Sequence, residues 1–189
     1  MKRTSHLAAL LATLTLAGAA QGAVLSAASG NAVTDYSSAA LVSFDLDLRH
    51  FAPTRLEFEL GADDLASSTL DFSALVRNLS GAGLRQFSFH LDGIRFVQQG
   101  TVTPTFGSIA AMDAGSTRAS VGFGSPEYAE FYFGNPLGND GQRNWLLDLS
   151  GLQAGDRFTI TATVPEPAPL PLVLAALMLL TCVGRQRRK

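Results

Sequence analysis

Cysteine is almost missing from this chain of 189 residues, which contains only Cys182, near the C-terminus. A single thiol allows no intramolecular disulfide, and the residues before it offer no thiolate for a metal site. A domain upstream of Cys182 must therefore be held together by its apolar core and its hydrogen bonds.

Lysine is absent between Val24 and Thr163, where 15 acidic residues and eight arginines give a formal charge of −7. Nucleic-acid binding depends largely on Lys and Arg side chains that neutralise phosphates. This charge balance argues against nucleic acid, and we expect no such partner. The residues at both ends of the chain are basic by contrast.

Catalytic motifs are also lacking. The chain has no Gly-x-Ser-x-Gly elbow and no His-Glu-x-x-His pair. Its three histidines are His6, His50 and His90, and their positions match no metal-ligand spacing. The sequence therefore predicts no catalytic residues, no enzyme activity and no cofactor.

The first 23 residues have the three zones of a secretory signal peptide. Lys2 and Arg3 precede an apolar run over Leu7–Ala17, and small residues follow. The small-residue rule permits cleavage after Ala20 or after Gly22. We expect export through the inner membrane and cleavage by a signal peptidase; an uncleaved N-terminal anchor is the alternative.

Residues 24–163 predict one acidic all-β domain. Val42, Phe44, Leu46 and Leu48 alternate with polar residues at period two, as in a strand with one buried face. Similar short runs recur between turn residues, and no convincing helical periodicity is present. The predicted strands cover residues 40–49, 55–60, 70–76, 87–91, 94–97, 102–109, 119–123, 129–133, 145–149 and 158–164.

These strands favour an antiparallel, jelly-roll-like β-sandwich of about eight to ten strands, with the 12 phenylalanines supplying much of the core. Asp92-Gly93 lies between two alternating runs, so it predicts a tight hairpin that pairs its flanking strands.

The last part of the chain, residues 164–189, has a different composition. A Pro165-Glu166-Pro167 box is followed by an apolar run over Leu170–Val183 and then by a basic end. Prolines on both sides of Glu166 end the last strand. The positive charge beyond the apolar run predicts a single transmembrane helix with a cytoplasmic C-terminus, although 14 residues are near the lower limit for a span.

This order of elements resembles the PEP-CTERM sorting signal of Gram-negative bacteria that make exopolysaccharide. The resemblance covers about 26 of the 189 residues and does not extend to residues 24–163. It implies recognition by an exosortase, a membrane cysteine protease that cleaves at or near the box. It assigns Pro165, Glu166 and Pro167 to the recognition box and assigns the cytoplasmic stop signal to Arg185, Arg187, Arg188 and Lys189. Pro169 and Pro171 depart from the pattern by extending proline into the start of the span.

Some polar residues of the domain could still carry chemistry. Asp45 and Asp47 share the outward face of one predicted strand, so they could bind Ca²⁺, act as a general acid and base, or form a solvated face that discourages edge pairing. Asp63-Asp64 and Asn139-Asp140 are loop oxygen donors that could bind Ca²⁺, but neither pair matches an EF-hand loop. Tyr128, Tyr132 and Trp145 are the aromatics with a polar tip, and they could stack on sugar rings or complete the core.

We therefore expect an exported cell-surface or extracellular-matrix protein with a non-catalytic structural or polysaccharide-binding role in biofilm or floc. Its transient partners are the inner membrane, a signal peptidase and an exosortase. A secreted carbohydrate-active enzyme that uses paired carboxylates is the alternative from a different functional class. A permanently anchored periplasmic protein is a further one.

Overall fold

The computed structural model describes residues 22–165, which form an all-β domain. The predicted signal peptide, apart from its last two residues, and the tail from Glu166 onward lie outside the described residues. A short 3-10 helix covers Asp63–Ala66. The strands are β1 Val24–Ser29, β2 Ala32–Asp35, β3 Leu41–Leu48, β4 Thr54–Glu59, β5 Thr69–Asn78, β6 Leu84–Asp92, β7 Arg95–Gln98, β8 Val102–Pro104, β9 Ser108–Ala114, β10 Arg118–Glu127, β11 Glu130–Phe133, β12 Trp145–Asp148 and β13 Arg157–Thr163.

The strands form two sheets. Sheet A has the order β1-β4-β13-β6-β10-β9 and is antiparallel throughout. Sheet B has the order β2-β3-β5-β11-β8, and β12 pairs with the part of β5 that β11 leaves free. Strand β7 completes sheet B beside β12. The chain crosses between the sheets repeatedly, so neighbouring strands in sequence often lie in different layers.

The two sheets pack face to face through aromatic side chains, which makes the domain a β-sandwich. Phe72 of sheet B meets Phe89 of sheet A edge to face, with ring centroids 5.3 Å apart. Phe44 and Phe58 make a second contact between the sheets at 6.1 Å. These four rings are fully buried. The alternation in β3 explains this arrangement, because every second residue from Val42 to Leu48 points into the core.

The all-β class is confirmed, but two finer details of the prediction are wrong. The described residues contain 13 strands instead of eight to ten. Strands β3 and β5 are parallel, with Asp47 opposite Arg77, so the sandwich is not antiparallel throughout and departs from a jelly roll. The parallel pair arises because β4, which follows β3, crosses into sheet A before the chain returns to sheet B.

The predicted hairpin at Asp92-Gly93 is also wrong. Strand β6 pairs with β10 and β13 in sheet A, whereas β7 pairs with β12 in sheet B. The turn is tight, and Gly93 has a positive φ of 80°, but it carries the chain from one sheet to the other. Turn chemistry alone does not distinguish a hairpin from such a corner.

Strand β1 begins at Val24 and β13 ends at Thr163. Within residues 22–165, no helix has the length and apolarity needed to cross a membrane. The transmembrane helix expected over residues 170–183 lies outside the described residues.

The contact between Phe72 and Phe89 predicts a large effect of truncation in the core. Phe72→Ala should lower the free energy of unfolding by about 3–5 kcal/mol, since it leaves a cavity between the sheets. Phe106→Ala removes the same side chain from a surface position and should change stability by about 0.5 kcal/mol at most. Urea unfolding of both variants measures the difference. A loss below about 1 kcal/mol for Phe72→Ala would contradict this account of the core.

Candidate functional site

Asp45 and Asp47 lie on the outer face of sheet B and are held by one arginine. Because β3 and β5 run parallel in register, Arg77 of β5 lies beside both carboxylates. Its Nε donates to Asp47 Oδ1 at 2.6 Å, and its Nη2 lies 3.2 Å from Asp45 Oδ2. The two carboxylates therefore do come together, but they share one guanidinium.

The next strand adds an acid and a tyrosine to this group. Glu130 of β11 is opposite Arg77 in the ladder, and Tyr132 lies two residues further along the same face. The Tyr132 hydroxyl donates to Glu130 Oε1 at 2.7 Å. We call Asp45, Asp47, Arg77, Glu130 and Tyr132 the carboxylate cluster.

The electrostatics of the carboxylate cluster are acidic, because three carboxylates face one guanidinium. Burial raises the pKa of Asp45; Arg77 opposes this shift, and the negative charges of Asp47 and Glu130 add to it. The hydrogen bond to Glu130, together with burial, raises the pKa of the Tyr132 hydroxyl. The cluster thus presents carboxylate acceptors, which suit the hydroxyl or amino groups of a ligand, and a planar guanidinium donor, which suits hydroxyl oxygens.

The prediction of Trp145 as a glycan contact is wrong. Its side chain is 0% exposed and stacks on Phe133, with ring centroids 4.5 Å apart. Its indole Nε1 donates to the Thr101 carbonyl at 3.3 Å. The indole is amphipathic, and here its polar tip is satisfied by backbone inside the domain. Trp145 therefore completes the core and offers no ring face to a ligand.

The two tyrosines lie in different settings. Tyr132 is half-buried within the carboxylate cluster, whereas Tyr128 is 63% exposed in the turn between β10 and β11. The three predicted aromatics consequently form no common platform. Of the three, only Tyr132 belongs to the carboxylate cluster, with Glu130 as its hydrogen-bond partner.

Of the predicted calcium ligands, Asp64 has a structural role. Its side chain is 0% exposed, and its two oxygens accept hydrogen bonds from the backbone N–H groups of Ala40 and Gly61, both at 2.9 Å. The assignment of Asp64 as a calcium ligand is therefore wrong, since these donors occupy the oxygens. Asp63 is exposed in the same 3-10 helix.

Asn139 and Asp140 lie in a different loop, between β11 and β12. The Asn135 side chain spans that loop by accepting from the Asn139 N–H at 2.7 Å and donating to the Asn139 carbonyl at 3.1 Å. Across residues 22–165, no group of three or more His, Cys, Asp or Glu side chains has a geometry that could hold a metal ion.

Glu127 is a buried carboxylate that the sequence did not identify. Its Oε2 accepts from the N–H groups of Phe106 and Gly107 at 2.8 Å, and its Oε1 accepts from Ala129 N–H at 2.9 Å. Burial acts to raise the pKa of Glu127, but these backbone donors and that of Tyr128 outweigh it and hold the pKa below its usual value. Glu127 thereby ties the loop before β9 to the turn before β11. A single glutamate in a Ser-Pro-Glu-Tyr stretch gives no sequence signal for this.

The Pro165-Glu166-Pro167 segment, which the sequence predicts to be a recognition box, begins directly beside the domain. Pro165 is exposed two residues after the end of β13 and borders a groove of about 230 Å³ on sheet A, with Gln86 and Gly122 among its lining residues. Glu166, Pro167, Arg185, Arg187, Arg188 and Lys189 lie outside the described residues. The chain therefore leaves the sandwich at the surface of sheet A, and only Val164 lies between the end of β13 and Pro165.

Comparisons of this chain with protein-family models, with characterised proteins and with solved structures found no match.

The lowered pKa of Glu127 predicts a pH-dependent contribution to stability. A carboxyl whose folded-state pKa lies below its ordinary value of 4.5 stabilises the fold above that pH, and the contribution is lost as the pH falls through the folded-state pKa. Glu127→Gln should therefore cost about 2–3 kcal/mol at neutral pH, and the cost should shrink below about pH 4.5. Urea unfolding at a series of pH values measures it.

Glu57→Gln is the matched control, because Glu57 pairs with the exposed Arg157 on the surface of sheet A. It should change stability by about 0.5 kcal/mol at most. An effect of Glu127→Gln that is independent of pH would show that the charge of Glu127 does not stabilise the fold.

Proposed function

We propose that this chain is an exported cell-surface or extracellular-matrix protein with a non-catalytic, polysaccharide-binding or structural role. A signal peptide over residues 1–23 starts export, and the PEP-CTERM-type tail over residues 164–189 directs the protein to an exosortase. The observation that carries this proposal is the order of the Pro-Glu-Pro box, apolar run and basic end. The exposed position of Pro165, just after the last strand, supports it because a protease needs free backbone at the box.

The carboxylate cluster is the surface we propose for polysaccharide binding. It combines the half-buried Tyr132 with acceptors and one guanidinium on the outer face of a sheet. The domain carries a formal charge of −7, which repels polymers of acidic sugars and attracts amino sugars. The proposed ligand is therefore a neutral or amino-sugar polysaccharide.

We favour binding over hydrolysis because of Arg77. Glycosidases need two carboxyl groups that act independently, one as the acid and one as the nucleophile or base. Asp45 and Asp47 are instead bound by the same guanidinium at 3.2 and 2.6 Å. A permanently anchored periplasmic protein remains the outcome expected if the box is not cleaved.

Processing at the box is tested by mass spectrometry of the mature C-terminus. Material released from cells should end at or near Pro165-Glu166-Pro167. The Glu166→Ala variant should accumulate in membranes with Lys189 intact, because the box has lost its charged residue. If the native protein also keeps Lys189 in membranes, the sorting proposal is wrong and permanent anchoring is supported.

Glycan binding is tested by electrophoresis in gels that contain a neutral, an amino-sugar or an acidic polysaccharide. The protein should be retarded by one of the first two polymers and not by the third. Tyr132→Ala should weaken the retardation about fivefold, as expected for a lost contact worth about 1 kcal/mol. Tyr36→Ala is the control, because Tyr36 is 58% exposed after β2 and outside the carboxylate cluster. Equal retardation of both variants would contradict this site.

A further inference from the structure

One end of the sandwich gathers the loops that surround the start of the tail. Thr54, which follows the loop 49–53, pairs with Ala162 near the end of β13. Asn78 donates to the carbonyls of Ala82 and Glu127, which joins loop 79–83 to turn 127–129. Glu127 in turn holds loop 105–107. We call these four loops, together with Val164 and Pro165, the tail end of the sandwich.

Three large apolar or aromatic side chains project from the tail end. Phe106 is 75% exposed, Tyr128 is 63% exposed and Leu79 is 53% exposed. Each comes from a different loop, and their backbones are fixed together by Asn78 and Glu127. Such side chains cost free energy in water unless a partner covers them.

The exposed charge of the tail end is positive, although the domain as a whole is acidic. Arg49 is exposed in loop 49–53, and the single acidic residue of the four loops, Glu127, is buried and occupied by backbone donors. Arg85, which is exposed in β6 two residues after loop 79–83, adds to the positive charge beside this surface. At the far end of the sandwich, by contrast, the exposed Asp92 and Asp156 lie beside the exposed Arg95 and Arg157, so both signs of charge are present there. An exposed surface that is apolar and carries positive charge therefore lies where the tail leaves the domain.

The tail end of the sandwich is only a short stretch of chain away from the apolar run over residues 170–183. Only five residues lie between Val164 and Leu170, so even a fully extended chain spans only about 20 Å between these two residues. An apolar run that lies in a bilayer therefore brings the tail end close to the lipid headgroups. Tyrosine and apolar side chains at this depth are favoured, and exposed arginines are attracted to anionic lipid.

We propose that the tail end of the sandwich docks on an anionic lipid bilayer while the tail is embedded, with Leu79, Phe106 and Tyr128 entering the headgroup region. This inference rests on the proposed function, since it needs the apolar run in the membrane. Docking holds the box at the bilayer surface in one orientation, and it ends when the tail is cut and the tether is lost.

The test uses the full chain in vesicles of phosphatidylethanolamine and phosphatidylglycerol that contain a headgroup spin label. In a Cys182→Ser background, a fluorophore is placed at Ala82→Cys in the tail end or at Ala154→Cys at the far end. Both alanines are exposed. Lipid quenching should be at least about twofold greater at position 82, and replacing the anionic lipid with phosphatidylcholine should reduce it.

The variant Leu79→Ala/Phe106→Ala/Tyr128→Ala should lower quenching at position 82 to the level at position 154. A matched control removes three apolar side chains of similar exposure from other surfaces, Tyr36→Ala/Val97→Ala/Leu137→Ala, and should leave quenching unchanged. Equal quenching at both positions, or no effect of the first variant, overturns the proposal. An effect that appears only at high protein density indicates a second copy as the partner and also overturns it.

Flotation of the same samples separates the two proposals. A chain that floats with the vesicles but shows equal quenching at both positions has an embedded tail and no docking, so only this inference fails. A chain that does not float has no membrane-embedded tail, and the proposed function fails with it.

Discussion

The edge-to-face contact between Phe72 and Phe89 is the interaction on which the rest of the domain depends. Each ring meets three further phenylalanines, and together these contacts join sheet A to sheet B along the middle of the sandwich. No disulfide can share this task, because the only cysteine lies in the tail. The outer faces can therefore be strongly polar, as at the carboxylate cluster, since none of the cohesion between the sheets comes from them.

Much of the fold was predictable because burial on one face imposes a period of two. Strand β3, with Phe44 and Leu46 at alternate buried positions, was identified for this reason. Strands β1 and β2 were missed because they lie at the sheet edges, where most of their residues are exposed and the alternation disappears. The parallel pairing of β3 with β5 depends on where β4 goes, and no local pattern records that.

The candidate site was predictable only in part. The shared face of Asp45 and Asp47 follows from their spacing, but the arginine between them comes from a strand 30 residues away. Trp145 was misassigned because a tryptophan with a satisfied N–H can be buried as readily as exposed, and its partner Thr101 is distant in sequence. Glu127 was not found because its partners are backbone N–H groups, which every sequence contains.

The position of β13 has a consequence for the order of events during synthesis. This last strand lies in the middle of sheet A, between β4 and β6, so the sheet remains in two pieces until Thr163 is available. Strands β4 and β6, which are synthesised early, are thus joined only after β13 is available. Pairing between strands that are distant in sequence makes folding slow. Because Pro165 follows two residues later, a nascent chain obtains the strand that closes sheet A only just before the Pro165-Glu166-Pro167 segment is made. A chain that ends before Arg157 lacks this strand altogether, so its sheet A stays in two pieces.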